Sequence, residues 1–107
     1  MPDGYLSLSA TVVLQAIGSG YGYGFDVMDV TGLPSGTVYP ALRRMEAAGL
    51  VTSKWENAAA AQREQRPARK YYGITRSGQI ALAEAVERYR LSSRPAARAG
   101  RPSPARS

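Results

Sequence analysis

Hydroxyl-bearing and cationic side chains are concentrated in one short stretch of the sequence, residues 35–49. The residues with this chemistry are Ser35, Thr37, Tyr39, Arg43 and Arg44. Hydroxyl and guanidinium groups donate hydrogen bonds to phosphate oxygens and to the base edges of a DNA groove. The residue types of this stretch therefore predict nucleic-acid recognition, provided that one element holds them on the same exposed side.

The same stretch has the periodicity of a single amphipathic helix. Val38, Leu42 and Met45 recur at positions i, i+4 and i+7, which is the spacing of one helical face. Ser35 is a suitable N-cap, and Gly49 is a suitable residue to end the helix. We therefore predict one helix over the whole stretch, with these apolar residues buried. The opposite face would carry Thr37, Tyr39, Pro40, Arg43 and Arg44.

Two shorter helical patterns precede this helix. Residues 5–18 predict a helix that is capped by Ser7 or Ser9, and residues 21–31 predict a second, shorter one. A turn at residues 31–34 leads into the third helix, which gives the order of a helix-turn-helix motif. In such motifs the later helix presents its first residues to base edges. The first helix is apolar on more than one side, so it either lies centrally in a small core or meets a second subunit.

Two β-strands are predicted after the third helix. Residues 50–56 and 69–74 have the alternation and the residue types of strands. The segment between them, residues 57–68, has no apolar anchor beyond alanine, and we predict an extended loop that completes the wing of a winged helix. Arg63 and Arg66 would project from this loop, either towards DNA or as ordinary solvated charges.

A last helix and a basic tail complete the predicted organisation. Residues 75–92 have an apolar side formed by Ile80, Leu82, Ala83, Val86 and Tyr89. This helix is predicted to pack against the first helix and against its counterpart in a second subunit, with folding back on its own core as the alternative. We predict a DNA-binding domain over residues 1–75, a dimerisation helix over 76–92 and a disordered tail over 93–107.

The net charge of +6 is unevenly distributed along the chain. Residues 1–49 contain two arginines and four acids, residues 50–76 contain six cations and two acids, and residues 93–107 contain four arginines and no acid. The positive charge therefore lies in the predicted wing and tail, where a polyanion such as DNA would be met. The wing cations that would hold the DNA backbone or enter the minor groove are Lys54, Arg63, Arg66, Arg69 and Lys70.

The composition excludes several classes of function. The chain has no cysteine and no histidine, which removes disulfides, thiol chemistry, the usual zinc sites and catalysis by histidine. Its eight carboxylates form no paired motif, so we expect no enzyme and no metal or cofactor. No run is long enough to span a bilayer, and the N-terminus lacks the cationic start of a signal peptide. We expect a cytoplasmic protein.

Three motifs in the sequence resemble those of PadR-family transcriptional regulators. The run GTVYPALRRME at residues 36–46, followed by GLV at 49–51, resembles the family's recognition helix, GTLYPALRRLE followed by GLI. YGYG at residues 21–24 resembles the family's YGYE, and RKYYGIT at 69–75 resembles RKYYRLT. The sequence departs from the family pattern at Gly24, where an acid is usual, and in a wing that is rich in alanine and glutamine.

The resemblance implies a mostly α fold with a small β-wing, a winged helix-turn-helix of order α-α-α-β-β-α that forms a homodimer through its N- and C-terminal helices. It implies a sequence-specific transcriptional repressor that binds a palindromic operator in double-stranded DNA and is released by a small aromatic or hydrophobic effector. Together with the residue patterns, it predicts DNA contacts at Ser35, Gly36, Thr37, Tyr39, Pro40, Arg43, Arg44, Lys54, Arg63, Arg66, Arg69 and Lys70. The predicted surface for an effector or a second subunit comprises Leu8, Val12, Gln15, Val86 and Tyr89.

Several side chains keep a purely structural interpretation at this stage. Tyr39 either contacts DNA or packs its ring in the core with the hydroxyl exposed. Trp55 is either a core or strand-packing residue or a stacking surface. Arg43 either faces the groove or pairs with Glu46 or Glu56, which would stabilise the surface little. Of two further neighbours, Tyr71 and Tyr72, one must face inward because they alternate along a strand.

Two other functions are compatible with the sequence. The winged helix could serve protein contacts instead of DNA contacts, with a tail that binds nucleic acid nonspecifically, or the arginine-rich tail alone could bind RNA or anionic lipid. Sequence-selective DNA binding that survives removal of residues 93–107 would support the regulator, whereas loss of all binding would favour the tail.

Overall fold

The computed structural model describes residues 6–91 and places five helices and two strands in that part of the chain. The elements are α1 (Leu8–Gly18), α2 (Gly24–Thr31), α3 (Ser35–Ala47), β1 (Val51–Trp55), α4 (Ala58–Arg63), β2 (Lys70–Ile74) and α5 (Arg76–Tyr89). This is a winged helix-turn-helix with one additional short helix in the wing. The predicted tail and the outer ends of the first and last predicted helices lie outside the described residues.

Helix α1 is the centre of the core. The Ser7 hydroxyl accepts a hydrogen bond from the Ala10 amide at 3.1 Å, so Ser7 rather than Ser9 is the N-cap. Val13, Leu14 and Ala16 have no exposed surface and pack in a cluster with residues of α2, α3 and β1. The central position predicted as one alternative for this helix is therefore confirmed.

Helix α2 begins at Gly24, three residues later than predicted. The preceding residues are extended and lie along β2: the Tyr72 amide donates to the Gly22 carbonyl at 2.8 Å, and Tyr23 forms a β-bridge with Tyr71. A Cβ atom at Gly22 would lie 2.6 Å from the Tyr72 carbonyl oxygen, so only glycine permits this close approach. Residues 21–23 therefore do not join the predicted helix, because residues 22 and 23 pair with β2 instead.

Helix α3 matches the predicted recognition helix in extent and in its buried side. Val38, Leu42 and Met45 are buried, as predicted. The N-cap position belongs to Pro34, with Ser35 as the first helical residue, so the prediction of Ser35 as the cap was wrong. Gly49 ends the helix with φ +80°, and the Leu50 amide donates to the Met45 carbonyl at 2.9 Å, which closes the last turn.

The wing consists of β1 and β2, which pair antiparallel from Val51 opposite Ile74 to Trp55 opposite Lys70. The strands were predicted to within one residue. The prediction of an extended loop between the strands was wrong, because the first half of this segment forms α4. The Asn57 side chain caps this helix, because its Oδ1 accepts hydrogen bonds from the amides of Ala59 and Ala60, at 2.7 and 3.3 Å.

Helix α5 packs along α1 of the same chain. Its N-cap is Thr75, whose hydroxyl accepts from the Gly78 amide at 2.9 Å and lies 2.7 Å from the Gly49 carbonyl oxygen. At the other end, the Tyr89 hydroxyl donates to the Leu6 carbonyl at 2.7 Å. The predicted packing on the first helix is confirmed, whereas packing against a counterpart in a second subunit stays a prediction.

Candidate nucleic-acid interface

The outward face of α3 carries the predicted recognition residues at different depths. Ser35, Gly36, Arg43 and Arg44 are exposed, whereas Thr37, Tyr39 and Pro40 are half-buried. Arg44 lies at one edge of this face, where it lines a groove of about 270 Å³ together with Leu6 and Ala10 of the α1 region. Arg43 therefore occupies the more outward of the two arginine positions.

Arg43 has no acidic partner in the described part of the chain, so the alternative that it pairs with Glu46 or Glu56 is wrong. The Glu46 carboxylate accepts from the Ser53 hydroxyl at 2.5 Å and lies 3.9 Å from the Lys70 ammonium. Glu56 is occupied by another arginine of the wing. Arg43 is thus an exposed cation on the recognition helix whose charge the fold leaves available.

Tyr39 packs its ring against the core and directs its hydroxyl over the start of α2. The ring belongs to the partly buried residues around the core cluster. A Cβ atom at Gly24 would lie 2.5 Å from the Tyr39 hydroxyl oxygen, so the absence of a side chain at Gly24 permits the close approach of Tyr39 in this chain. Burial, followed by the neighbouring phenols of Tyr23 and Tyr72, raises the pKa of Tyr39 above its usual 10.0. The hydroxyl is therefore protonated at neutral pH and acts as a donor.

A bidentate ion pair closes the base of the wing. The Arg66 guanidinium donates to both carboxylate oxygens of Glu56, at 2.6 and 2.8 Å, and the Arg69 amide donates to the same carboxylate at 3.1 Å. The Arg66 hydrogen bonds lower the pKa of Glu56 to about 2. Arg66 was predicted to project from a loop, and this was wrong. Its side chain instead holds the segment after α4 against the end of β1. Arg63 and Lys54 are exposed.

Cations and aromatic rings alternate between the wing and α2. The Arg69 guanidinium lies 4.4 Å from the centre of the Tyr23 ring, and the Lys70 ammonium lies 5.7 Å from that of Trp55 and 5.6 Å from that of Tyr72. Trp55 is 64% exposed, so it is not a core residue, but it lies beside Lys70 of the paired strand, in agreement with the strand-packing alternative. Tyr72 is the inward member of its pair, and its neighbour Tyr71 is exposed.

These side chains enclose a cleft between the recognition helix, the start of α2 and the wing, which we name the wing cleft. Its volume is about 540 Å³. Its walls are Tyr23, Gly24, Phe25, Tyr39, Trp55, Arg66, Pro67, Ala68, Arg69, Lys70 and Tyr72. The structure thus brings together four residues of the predicted DNA surface, namely Tyr39, Arg66, Arg69 and Lys70. Tyr23, Trp55 and Tyr72 were not predicted as members of a site, although Tyr23 and Tyr72 lie in the YGYG and RKYYGIT motifs and Trp55 lies in the first predicted strand.

The predicted effector or subunit surface is only partly assembled. A groove of about 410 Å³ between α1 and α5 is lined by Gln15 and Val86, together with Gly18, Ser19, Ile74, Gln79, Leu82 and Ala83. Leu8, Val12 and Tyr89, the other three predicted members, do not line it. Leu8 is half exposed, and the Tyr89 hydroxyl is bonded to the backbone of Leu6.

Residues 6–91 contain neither a candidate membrane span nor a candidate metal cluster. None of the helices described there is both long and apolar enough to cross a membrane. In the same part of the chain, no group of three or more acidic, histidine or cysteine side chains is placed to hold a metal ion.

The fold and the exposed cationic face of α3 define a winged helix-turn-helix DNA-binding protein. The sequence model of the transcriptional regulator PadR-like family matches residues 13–84. The chain therefore belongs to the PadR-like family of transcription regulators, as its motifs predicted. A comparison with curated proteins found no match.

Solved structures of family members share this fold. A PadR family transcription regulator from hypervirulent Clostridium difficile R20291 is 25% identical, over 78% of this chain and 88% of that one, with a TM-score of 0.67. A PadR family transcriptional regulator from Eggerthella lenta DSM 2243 is 25% identical, over 78% and 76% of the two chains, with a TM-score of 0.59. A PadR-like transcriptional regulator from Bacillus cereus strain ATCC 14579 is 26% identical, over 75% and 79%, with a TM-score of 0.58.

Proposed function

We propose that this chain is a transcriptional repressor that binds a palindromic operator as a homodimer. The observation that carries the proposal is the outward face of α3, where exposed Arg43 has no acidic partner among residues 6–91 and lies on the same helix as the half-buried hydroxyl of Tyr39. The start of α3 enters the major groove in this arrangement, and Arg43 donates to base edges.

The wing supplies contacts to the DNA backbone beside α3. Tyr39, Arg69 and Lys70 lie together in the wing cleft, where the two cations and the phenol can bind phosphate. Lys54 and Arg63 add exposed positive charge elsewhere on the wing. Arg66 has a structural role in this proposal, since its guanidinium is held by Glu56. These contacts fix the register of the protein on DNA, whereas α3 reads the sequence.

A second copy joins through the groove between α1 and α5. The apolar groove residues Val86 and Leu82 are only half-buried within one chain. Leu8, which belongs to α1 like the groove residue Gln15, is half exposed. A small domain gains stability by covering such a surface with a partner. A small aromatic or hydrophobic effector that binds in this groove of about 410 Å³ would change how the two copies are joined and release the operator.

Selection of binding sites from random DNA duplexes tests the proposal. We expect the full chain to enrich two inverted half-sites about one helical turn apart, roughly 34 Å between centres. Arg43→Ala should relax the preference at one base position of each half-site by about 1–3 kcal/mol. The exposed Arg76 at the start of α5 provides the control, and Arg76→Ala should leave the selected sequence unchanged. Enrichment of no common sequence would contradict the proposal.

A further inference from the structure

The wing cleft exposes an unusual amount of aromatic surface. Its rings are those of Tyr23, Phe25, Tyr39, Trp55 and Tyr72. Phe25 and Trp55 are 59% and 64% exposed. Apolar surface left in water costs free energy that a flat aromatic ligand would recover by stacking on these rings.

The same cleft carries positive charge that the described part of the chain does not neutralise. Arg66 is paired with Glu56, and Lys70 has only a distant partner, at 3.9 Å from the Glu46 carboxylate. No carboxylate among residues 6–91 lies within 4.0 Å of the Arg69 guanidinium. Charge-assisted hydrogen bonds from these groups to an anion would be stronger than those from neutral donors.

Three phenol hydroxyls complete the polar side of the cleft. Those of Tyr23, Tyr39 and Tyr72 make no hydrogen bond to another residue in the described part of the chain. Burial, followed by the neighbouring phenols of Tyr23 and Tyr72, raises the pKa of Tyr39, so its hydroxyl stays protonated. Partly buried hydroxyls without a partner are donors and acceptors that a ligand can satisfy.

We propose that the wing cleft binds a mononucleotide, with its base against the aromatic walls and its phosphate at Arg69 and Lys70. A phosphate alone would leave the rings exposed to water, and an uncharged ring alone would leave the cations unsatisfied, whereas a nucleotide meets both requirements. The cleft volume of about 540 Å³ lies within the range of small-molecule sites.

Nucleotide binding in the cleft would compete with DNA. Tyr39, Arg69 and Lys70 belong both to the cleft and to the proposed DNA surface, so they cannot hold a nucleotide and the operator backbone at once. This consequence rests on the proposed function, whereas the binding of the nucleotide does not. The two can therefore be tested separately.

Trp55 provides the readout, because it is the single tryptophan of the chain and lines the cleft. The full-length protein is titrated with AMP, with adenosine as the ring without the anion, and with ribose 5-phosphate as the anion without the ring. We expect AMP to quench the tryptophan emission saturably and to bind at least about tenfold more tightly than either fragment. Equal binding of AMP and one fragment would overturn the proposal.

A matched pair of substitutions, in which phenylalanine replaces an alanine, locates the site. Ala68 lines the cleft and Ala59 of α4 does not, so Ala68→Phe should weaken AMP binding about tenfold or more, while Ala59→Phe leaves it within about twofold. Circular dichroism establishes that both variants fold, and calorimetry provides a second measure of affinity. Loss of AMP binding in Ala83→Phe, which fills the groove between α1 and α5, with retention in Ala68→Phe would overturn the proposal.

Two further measurements separate this inference from the proposed function. AMP should displace the selected operator from the full chain, and Ala68→Phe should abolish that displacement. Operator binding with no AMP binding would overturn the nucleotide site and leave the regulator intact, whereas AMP binding without any operator binding would do the reverse. A five-nucleotide single strand that binds through the Ala68-sensitive site when AMP does not would assign the cleft to a strand and overturn the proposal of a free nucleotide.

Discussion

Gly78 fixes where α5 begins relative to the wing. It is buried in the first turn of the helix, and a Cβ atom there would collide with the carbonyl oxygen of Leu50 and lie 2.8 Å from Cγ1 of Ile74. The Leu50 carbonyl is backbone, so neither a rotamer change nor a small side-chain movement would relieve the contact. The absence of a side chain at this one residue therefore sets the close packing of α5 on the turn between α3 and β1.

Gly78→Ala should destabilise the fold by about 2 kcal/mol through this overpacking. Gly36→Ala is the matched control, because no atom lies within 4 Å of its Cβ position, and it should stabilise α3 by about 0.5–1 kcal/mol. Thermal unfolding of the two variants should shift in opposite directions. A thermal unfolding midpoint for Gly78→Ala at or above that of the wild type would show that the turn between α3 and β1 can move to accommodate the added methyl group.

Gly24→Ala tests whether the position of Tyr39 matters for DNA. The added Cβ would lie 2.5 Å from the Tyr39 hydroxyl oxygen and 2.7 Å from the nearest ring carbon, so the ring must move away from α2. We expect operator affinity to fall about tenfold, the equivalent of one hydrogen bond to a charged group. Tyr39→Phe should cause a similar loss without the movement. Wild-type affinity in Gly24→Ala would place the Tyr39 hydroxyl outside the interface.

The residues that the sequence predicted correctly are those with a local pattern. Val38, Leu42 and Met45 were predicted to be buried because helical spacing alone decides which face they share. The stacking of Arg69 on Tyr23 has no such pattern, since the two residues are far apart in the chain and meet only when the extended segment before α2 pairs with β2. Contacts of this kind follow from tertiary packing rather than from spacing.

Among the elements, the wing differs most from its prediction. Helix α4 was missed because its run of alanines gives no amphipathic pattern, although Asn57 followed by four alanines combines a good N-cap with the strongest helix former. The element is held in place by the burial of Ala61 and by the ion pair of Arg66 with Glu56. The second of these could not be predicted, because it depends on the helix that brings the two side chains together.

The ion pair gives the wing a defined dependence on pH. The pKa of Glu56 is lowered from 4.5 to about 2 in the folded chain, so the stabilisation is fully present above about pH 4.5 and is lost as the pH falls towards 2. Urea unfolding over this window should show a loss of stability in the wild type that Glu56→Gln lacks. Glu84 is the control, since its side chain is exposed on α5 and takes no part in the wing, and Glu84→Gln should follow the wild type. Parallel curves for the wild type and Glu56→Gln would contradict the interpretation.

At the scale of the whole molecule, the groove between α1 and α5 decides whether two recognition helices act together. Ala83 is exposed and lines this groove, so Ala83→Glu should leave the single chain folded while placing a charge in the proposed subunit contact. We expect analytical ultracentrifugation to show a shift from dimer to monomer, with loss of operator affinity. Ser77→Glu, an exposed position on the same helix that does not line the groove, should remain dimeric. A dimeric Ala83→Glu would move the contact to another surface.

The charge distribution assigns different roles to the two ends of the molecule. Residues 1–49, which contain α3, carry more acids than bases, whereas residues 93–107 carry four arginines and no acid. Counterion release then predicts that a chain ending at residue 92 loses up to about 3.6 from the slope of log affinity against log salt, about 0.9 for each of the four arginines. Its half-site preference should not change, because base edges are read from α3 and phosphate contacts carry no sequence information. Titrations of the selected operator and of a scrambled duplex over a series of salt concentrations measure both the slope and the preference. Loss of the preference on truncation would show that the tail, rather than the recognition helix, discriminates between sequences.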